Sequence, residues 1–276
     1  PESASGIIIS PQTGEIYAMA HVPNFDLNNF QEVENVLTYS NPLVENVYEF
    51  GSVVKPLVIA AGIEEGVISA STPFYDKGSI QVEDKEIFNF DKKGRGQITM
   101  QDVLSESLNT GMVFAMQKLG RNKFKDHMLD YRLGEKTNID LPNEAKGLVS
   151  NLEEPRELEY ATAAFGQGIS FSPVVLVRAL SSLGNGGYLI RPHVVKSIDY
   201  HDGGEKTFEY LKEDQPRILT EETSRAISSM LVYSVDHVYG DGKYKMENYS
   251  IGAKTGTAQI PYPFGGYDDH RDLHTF

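Results

Sequence analysis

Ser52 and Lys55 place a hydroxyl and an amine three residues apart in Ser52-Val53-Val54-Lys55. At that spacing two side chains share one face of a helix. A lysine so placed can take the proton of a serine that attacks a carbonyl. To do so it must be neutral part of the time, so its pKa has to fall from about 10.4 through burial or a neighbouring cation. Gly51 permits a tight approach to the helix, and Ser52 at a helix N-terminus would have backbone N–H groups at hand for a developing oxyanion. A Ser-x-x-Lys is expected about once by chance in a chain with this Ser and Lys content. Taken alone, the pattern therefore also fits a surface serine beside a solvated lysine.

Two further groups could complete a site. Ser107-Leu108-Asn109 lies where two predicted helical stretches meet and Asn109-Thr110-Gly111 interrupts the period, so a hydroxyl and a carboxamide could point into a cleft. On its own this segment reads better as Ser107 or Asn109 capping the second helix. Lys254-Thr255-Gly256-Thr257 follows a predicted strand, Tyr249 to Ala253, and offers a cation, two hydroxyls and a glycine that lets a ligand approach backbone. Such an edge can hold a carboxylate. A Lys-Thr-Gly tripeptide is expected well under once by chance, which makes it the most specific of the three; the alternative is a strand ending in an ordinary turn.

The elements that must position these groups form an α+β order. Ser5 to Ser10 and Glu15 to Ala20 are short apolar runs around a turn at Pro11-Gln12-Thr13-Gly14, which predicts an antiparallel hairpin. From about Ser52 to Leu183 the signals are helical: Val53 to Glu65, Thr99 to about Ser107, Thr110 to Leu119, and Pro173 to Leu183. Thr99-x-x-Asp102 resembles a capping box, Gly120 fits a stop, and Pro173 fits a first turn. Beyond the Asn185-Gly186-Gly187 turn, Pro192 to Tyr200 reads as a strand. Thr220 to His237 reads as a helix through Ala226, Ile227, Met230 and Leu231, and Tyr249 to Ala253 as a strand. Leu104, Val113, Phe114 and Met116 are read as core.

Composition removes several classes of function. The 276 residues are 40% apolar and carry a net charge of −14, enough apolar content for a large core and a field that repels nucleic acid. No cysteine is present, so thiolate nucleophiles, disulfides and Cys-type metal sites are excluded. No apolar run approaches the ~18 residues of a membrane span, and Pro1 to Gly6 carry no targeting signature. His270-x-x-x-His274 has i,i+4 spacing but lies in a Gly/Asp-rich tail where no helix is predicted, so no metal site is expected. Asp268 and Asp269 are read as a solvated loop. Phe165-Gly166-Gln167-Gly168 lacks the context of a phosphate loop and is read as a structural turn beneath the cleft; no cofactor is indicated.

Ser-x-x-Lys, Ser-x-Asn and Lys-Thr-Gly, in that order, are the signature shared by penicillin-binding proteins and serine β-lactamases. The chain resembles the transpeptidase domain of a class B penicillin-binding protein of the division and sporulation type. The likeness extends over Thr13 to Met19 with Pro23 to Asp26, Tyr48 to Ser52, Ile139 to Pro142, Phe165 to Gly168 with Pro173, Asn185 to Gly187 with Pro192 and His193, and Thr257 to Gln259. It implies an antiparallel sheet flanked by helices, with sheet parts at about 1–50 and 190–276 and a mostly helical part at about 51–189. Phe50 stands where relatives usually have proline, which should adjust the helix start without removing chemistry.

Carried over residue by residue, the resemblance makes Ser52 the nucleophile that attacks D-Ala-D-Ala and Lys55 its general base. Ser107 passes a proton to the leaving D-Ala, and Asn109 orients Lys55 and the substrate amide. Lys254, Thr255 and Thr257 bind the terminal carboxylate, and Gly256 keeps the strand edge open. Backbone N–H groups of Ser52 and Thr257 hold the oxyanion. The implied partners are peptidoglycan stem peptides, β-lactams as covalent inhibitors and a glycan-strand polymerase. The implied location is the extracytoplasmic face of the bacterial membrane, on an N-terminal anchor absent from this chain. Family domains continue into two further strands and a closing helix, so the chain is expected to stop where the next strand should begin. That would leave Lys254 to Thr257 without sheet support, in a truncated and poorly active fragment. Tyr262 to Tyr267 is expected as a loop near the cleft. The competing readings are a β-lactam sensor domain, a non-catalytic cell-wall scaffold and a serine β-lactamase. The lactamase would need a water-activating device that is not seen between the Ser-x-Asn and Lys-Thr-Gly elements.

Overall fold

The computed structural model describes residues 3–33, 35–262 and 266–276. The expected hairpin opens the chain: β1 (Ala4–Ile9) and β2 (Ile16–Val22) pair antiparallel, Ala4 opposite Val22 and Ile9 opposite Ile16. Ile7, Ile16 and Met19 turn onto a small core with Val44, Ile139 and Val174. A short helix, α1 (Pro42–Glu45), and a 3-10 turn at Gly51–Val54 then lead into α2 (Lys55–Glu64). Every residue from Lys55 to Gly62 is buried. A helix apolar on all sides must be enclosed, and α2 is the axis on which the main core assembles, with Leu57, Val58 and Ile59 fully covered.

After α2 the chain departs from the helical reading. Two nested hairpins occupy residues 73–99: β3 (Pro73–Asp76) pairs with β6 (Gly96–Thr99), and between them β4 (Ser79–Val82) pairs with β5 (Lys85–Phe88). The helices follow as α3 (Met100–Ser105), α4 (Asn109–Leu119), α5 (Arg121–Asp130), α6 (Glu157–Ala163) and α7 (Pro173–Gly184). Their boundaries have the predicted causes. Thr99 and Asp102 form a reciprocal capping box at α3, Gly120 at φ 76 ends α4, and Pro173 sits in the first turn of α7. Leu104, Val113 and Met116 are buried and Phe114 packs against them from a partly covered position.

The C-terminal third corrects four expectations. Pro192 to Tyr200 contributes only the short strand β7 (Ser197–Asp199), paired with β8 (Glu205–Thr207) and exposed throughout. After α8 (Glu221–Tyr233), which the Thr220 hydroxyl caps, Tyr249 to Ala253 forms no strand, and Tyr249 is 70% exposed. The strand begins inside the motif instead, as β9 (Gly256–Pro261). The strand expected to be missing after it is present: β10 (Tyr267–Thr275) places Thr275 opposite Gly256 and His274 opposite Thr257, so this edge has sheet support. Among the described residues the strands form five separate antiparallel pairs, and β1–β2 is not joined to β9–β10. Asp268 is no solvated loop residue. It lies in β10, 6% exposed, accepting from Arg271 Nε at 2.7 Å and His270 N at 2.9 Å. His270 and His274 also lie on this strand, and residues 263–265 of the expected loop lie outside the described residues.

Candidate active site

The turn that carries Ser52 is shaped by close backbone contacts. Gly51 has φ 61, and a Cβ there would stand 2.7 Å from the Thr257 carbonyl oxygen, so only glycine lets β9 lie against the turn. Behind it, the Gly51 N–H donates to the Gly166 carbonyl at 3.2 Å. A side chain on Gly166, at φ 81, would fall on the Gly51 carbonyl. This is why Phe165 to Gly168 turns beneath the cleft. Phe50, just before Gly51, is 4% exposed and packs on Phe171 with ring centroids 5.3 Å apart, so the entry to the turn is held by apolar packing. Ser52 follows on the 3-10 turn, and Lys55 is the first residue of α2.

Ser107 and Asn109 are not spent on capping. The N-cap of α4 is Leu108, which has no side-chain cap, and Asn109 is already helical. Ser107 takes φ 60, a conformation unusual for a residue with a Cβ, and the turn sends both its oxygens towards Lys55. Lys55 Nζ donates to the Ser107 carbonyl at 2.6 Å and to Asn109 Oδ1 at 2.8 Å, with Ser107 Oγ at 3.3 Å. From the opposite side Lys254 Nζ donates to Ser107 Oγ at 2.9 Å and to the Thr255 carbonyl at 2.8 Å. Two lysines separated by more than a hundred residues thus meet on one hydroxyl.

Their surroundings set their charge. Lys55 is wholly buried, and burial first, then the Lys254 charge, hold its amine well below the usual lysine range. Burial alone brings Lys254 down to about 8. With one proton removed, Lys55 keeps two N–H bonds for the two carbonyl acceptors and turns its lone pair towards a hydroxyl. The arrangement can move a proton from a serine oxygen through Lys55 and Ser107.

A cleft of about 390 Å³ lies over this network, lined by Ser52, Ser107, Asn109, Thr255, Gly256 and Thr257 among others. All eight residues singled out in the sequence are therefore at this site: six on its wall and Lys55 and Lys254 buried behind it. Sequence reasoning missed the rest of the lining, Phe90, Ser105 and Glu106, and assigned Phe165 and Gln167 to structure alone. Phe90 is 81% exposed, and a large apolar side chain left in solvent beside a polar cleft is the signal that only coordinates reveal. Among the described residues no three His, Asp or Glu side chains gather to hold a metal ion.

The family described as penicillin binding protein transpeptidase domain matches residues 4–276. The chain belongs to that family. Among relatives of this transpeptidase domain, stage V sporulation protein D of Bacillus subtilis is 34% identical over 268 residues, covering 94% of this chain and 40% of that protein. The peptidoglycan D,D-transpeptidase FtsI of Escherichia coli K12 is 27% identical over 271 residues, covering 96% and 42%. The chain thus spans about two fifths of the length of these curated relatives. The crystal structure of penicillin binding protein 3 from Mycobacterium tuberculosis in its apo form matches with a TM-score of 0.89 at 26% identity, over 99% of this chain and 62% of that one. The same protein complexed with ampicillin also matches with a TM-score of 0.89, over 99% and 61%. The α+β fold with antiparallel strands is the penicillin-binding transpeptidase fold. No helix among the described residues is long and apolar enough to cross a membrane.

Proposed function

We propose that this domain is a peptidoglycan D,D-transpeptidase that cross-links stem peptides through an acyl-enzyme on Ser52. The observation that carries the reading is the convergence of Lys55, Ser107, Asn109 and Lys254 on one hydrogen-bonded network behind the cleft that Ser52 lines. Neutral Lys55 takes the Ser52 proton as Oγ attacks the penultimate D-Ala carbonyl. The Ser52 and Thr257 N–H groups stabilise the oxyanion, and the proton passes by way of Ser107 to the departing D-Ala. Protonated Lys254, with Thr255 and Thr257, holds the terminal carboxylate. The amine of a second stem peptide then attacks the ester carbon, its proton returns through Lys55, and Ser52 leaves as a hydroxyl. β-Lactams present an anionic group, a carboxylate in ampicillin and a sulfonate in aztreonam, and a strained amide to the same groups, and the ampicillin and aztreonam complexes of the Mycobacterium tuberculosis protein support this reading.

Residues 1–276 act in this reading as one transpeptidase domain on the extracytoplasmic face of the membrane. In the same reading its protein carries an N-terminal anchor and works with a glycan-strand polymerase. The test is incubation with a D-Ala-D-Ala stem peptide and a stem-peptide amine, following D-Ala release and the cross-linked product by mass, with Ser52→Ala beside it. Product from the wild type alone supports the reading. Acylation by a β-lactam without transfer from peptide would favour the sensor, and rapid clearance of that adduct would favour a lactamase.

A further inference from the structure

The Asn109 amide stands between two partners with opposite demands. Its Oδ1 accepts from Lys55 Nζ at 2.8 Å, and its Nδ2 donates to the Phe88 carbonyl at 3.0 Å. A carbonyl oxygen can only accept, so Phe88 decides which end of the amide faces the lysine. Turned over, the amide would set its NH2 group against Lys55 and its oxygen against Phe88, and both bonds would be lost. Phe88 ends β5, and its position is fixed by the residue that follows.

Asn89 is 1% exposed and bonded at every polar atom. Its N–H donates to the Gly78 carbonyl at 3.0 Å, and its Nδ2 donates to both Asp76 oxygens at 3.1 and 3.0 Å and to the Lys93 carbonyl at 3.2 Å. Its Oδ1 accepts from Thr110 N at 3.2 Å. Asp76, also 1% exposed, accepts from Gly78 N at 2.9 Å and Arg95 N at 3.0 Å. The Thr110 hydroxyl shares its proton between Asp76 at 2.8 Å and Asn89 at 3.1 Å. These donors are neutral amides and a hydroxyl, and they come from the turn after β3, the end of β5, the start of β6 and the first turn of α4. A buried carboxylate is costly unless its lone pairs are met. Here the satisfied hub ties both hairpins to the helix whose first residue is Asn109, with a directionality that apolar packing cannot supply.

We propose that Asp76 and Asn89 are positioning residues of the active site, which set the Phe88 carbonyl and through it the amide of Asn109 against Lys55. Neither touches substrate. The charged group that faces Lys55 is Lys254, across Ser107, and Asp76 acts through Asn89 and Phe88. The inference rests on the reading of Lys55 as the base, yet the surroundings of Lys55 can be measured without any reaction.

The experiment follows the Lys55 13Cε shift against pH in the 13C-lysine-labelled protein, together with acylation by benzylpenicillin per titrated Ser52. It uses wild type, Asp76→Asn and Thr110→Val, with Lys55→Arg to assign the signal. An acceptor stabilises ammonium more than amine, so loss of the ordered Asn109 contact moves the Lys55 midpoint to lower pH. The acylation rate constant falls about tenfold with the affinity of the first complex unchanged. A midpoint and rate that stay at wild-type values in the folded variants overturn the proposal. Should Asp76→Asn fail to fold, Thr110→Val, which removes one hydroxyl from the hub and keeps the N–H, carries the test alone. If the wild type is not acylated but the midpoint moves in the variants, the transpeptidase reading fails and the positioning role stands.

Discussion

Lys55 makes its shortest hydrogen bond to the carbonyl of Ser107, at 2.6 Å, while the Ser107 hydroxyl stands at 3.3 Å. The backbone of Ser107 therefore places the lysine, and in the proposed mechanism its side chain is left to pass the proton from Lys55 to the departing D-Ala. The left-handed φ of 60 that brings this about opposes stability, because a Cβ in that conformation costs roughly 1 kcal/mol. Function and stability separate at this residue. Ser107→Gly relieves that strain but loosens the unfolded chain and removes an acceptor of Lys254, so stability should change by no more than about 1 kcal/mol, while β-lactam acylation falls on the order of a hundredfold. Thermal denaturation and acylation rates on the same preparation check the pair. A glycine variant that acylates at the wild-type rate removes Ser107 from the relay.

The two lysines predict a bell-shaped pH dependence of acylation. Lys254, at about 8, must be protonated to hold a carboxylate, so the rate falls as pH rises through that value. Lys55, whose pKa is lowered by burial and by Lys254, must be neutral, so the rate falls again on the acid side as the amine is protonated. In Lys254→Arg the alkaline limb should move out of the accessible range, since guanidinium does not deprotonate there. In Lys254→Gln the neighbouring charge is gone, the Lys55 pKa rises, and the acid limb moves to higher pH. Rate profiles of the three proteins measure both shifts, and limbs that stay put in both variants would contradict the assignment.

Much of this site was legible because its chemistry sits in short, local motifs, and the elements read well where a local cause fixes them. The Thr99 and Asp102 capping box, the Gly120 stop and Pro173 are such causes. The hairpins at 73–99 were not legible. Their strands have four residues each, and the β4–β5 turn uses Glu83 at φ 50 with Asp84, where Asn-Gly would announce a hairpin. Their order comes from the Asp76 hub, a set of contacts up to 34 residues apart. The β10 strand was hidden for a related reason. Its sequence, Tyr-Asp-Asp-His-Arg-Asp-Leu-His-Thr, is polar at most positions, and it is held by backbone pairing to β9, which leaves no apolar alternation to read.

The back-to-back glycines at the turn that carries Ser52 predict a large and local loss. Gly166→Ala adds a Cβ that falls on the Gly51 carbonyl at a φ of 81. It should cost about 2–4 kcal/mol by denaturant titration, and the folded fraction should acylate slowly because the turn is displaced. Gly66→Ala, at φ 66 with open space around it, isolates the backbone cost and should lose only about 1 kcal/mol. Equal losses in the two proteins would show that the contact with Gly51 is not what the structure describes.

Phe90, 81% exposed on the cleft wall, should matter to ligands and not to folding. Phe90→Ala is expected to change stability by no more than about 0.5 kcal/mol and to weaken the first β-lactam complex severalfold, through lost apolar contact. Saturation of the acylation rate with inhibitor concentration separates that affinity from the chemical step. An unchanged affinity would place Phe90 outside the ligand's reach.

The most direct test of the account is the intact mass of the protein during hours of incubation with benzylpenicillin, with Ser52→Ala and Lys55→Ala alongside and the adduct mapped by peptide digestion. A single penicilloyl group that forms on Ser52, persists, and is absent from both variants is the predicted result. No adduct on the folded wild-type protein, or an adduct retained when Ser52 is replaced, would contradict the claim that Ser52 is the nucleophile.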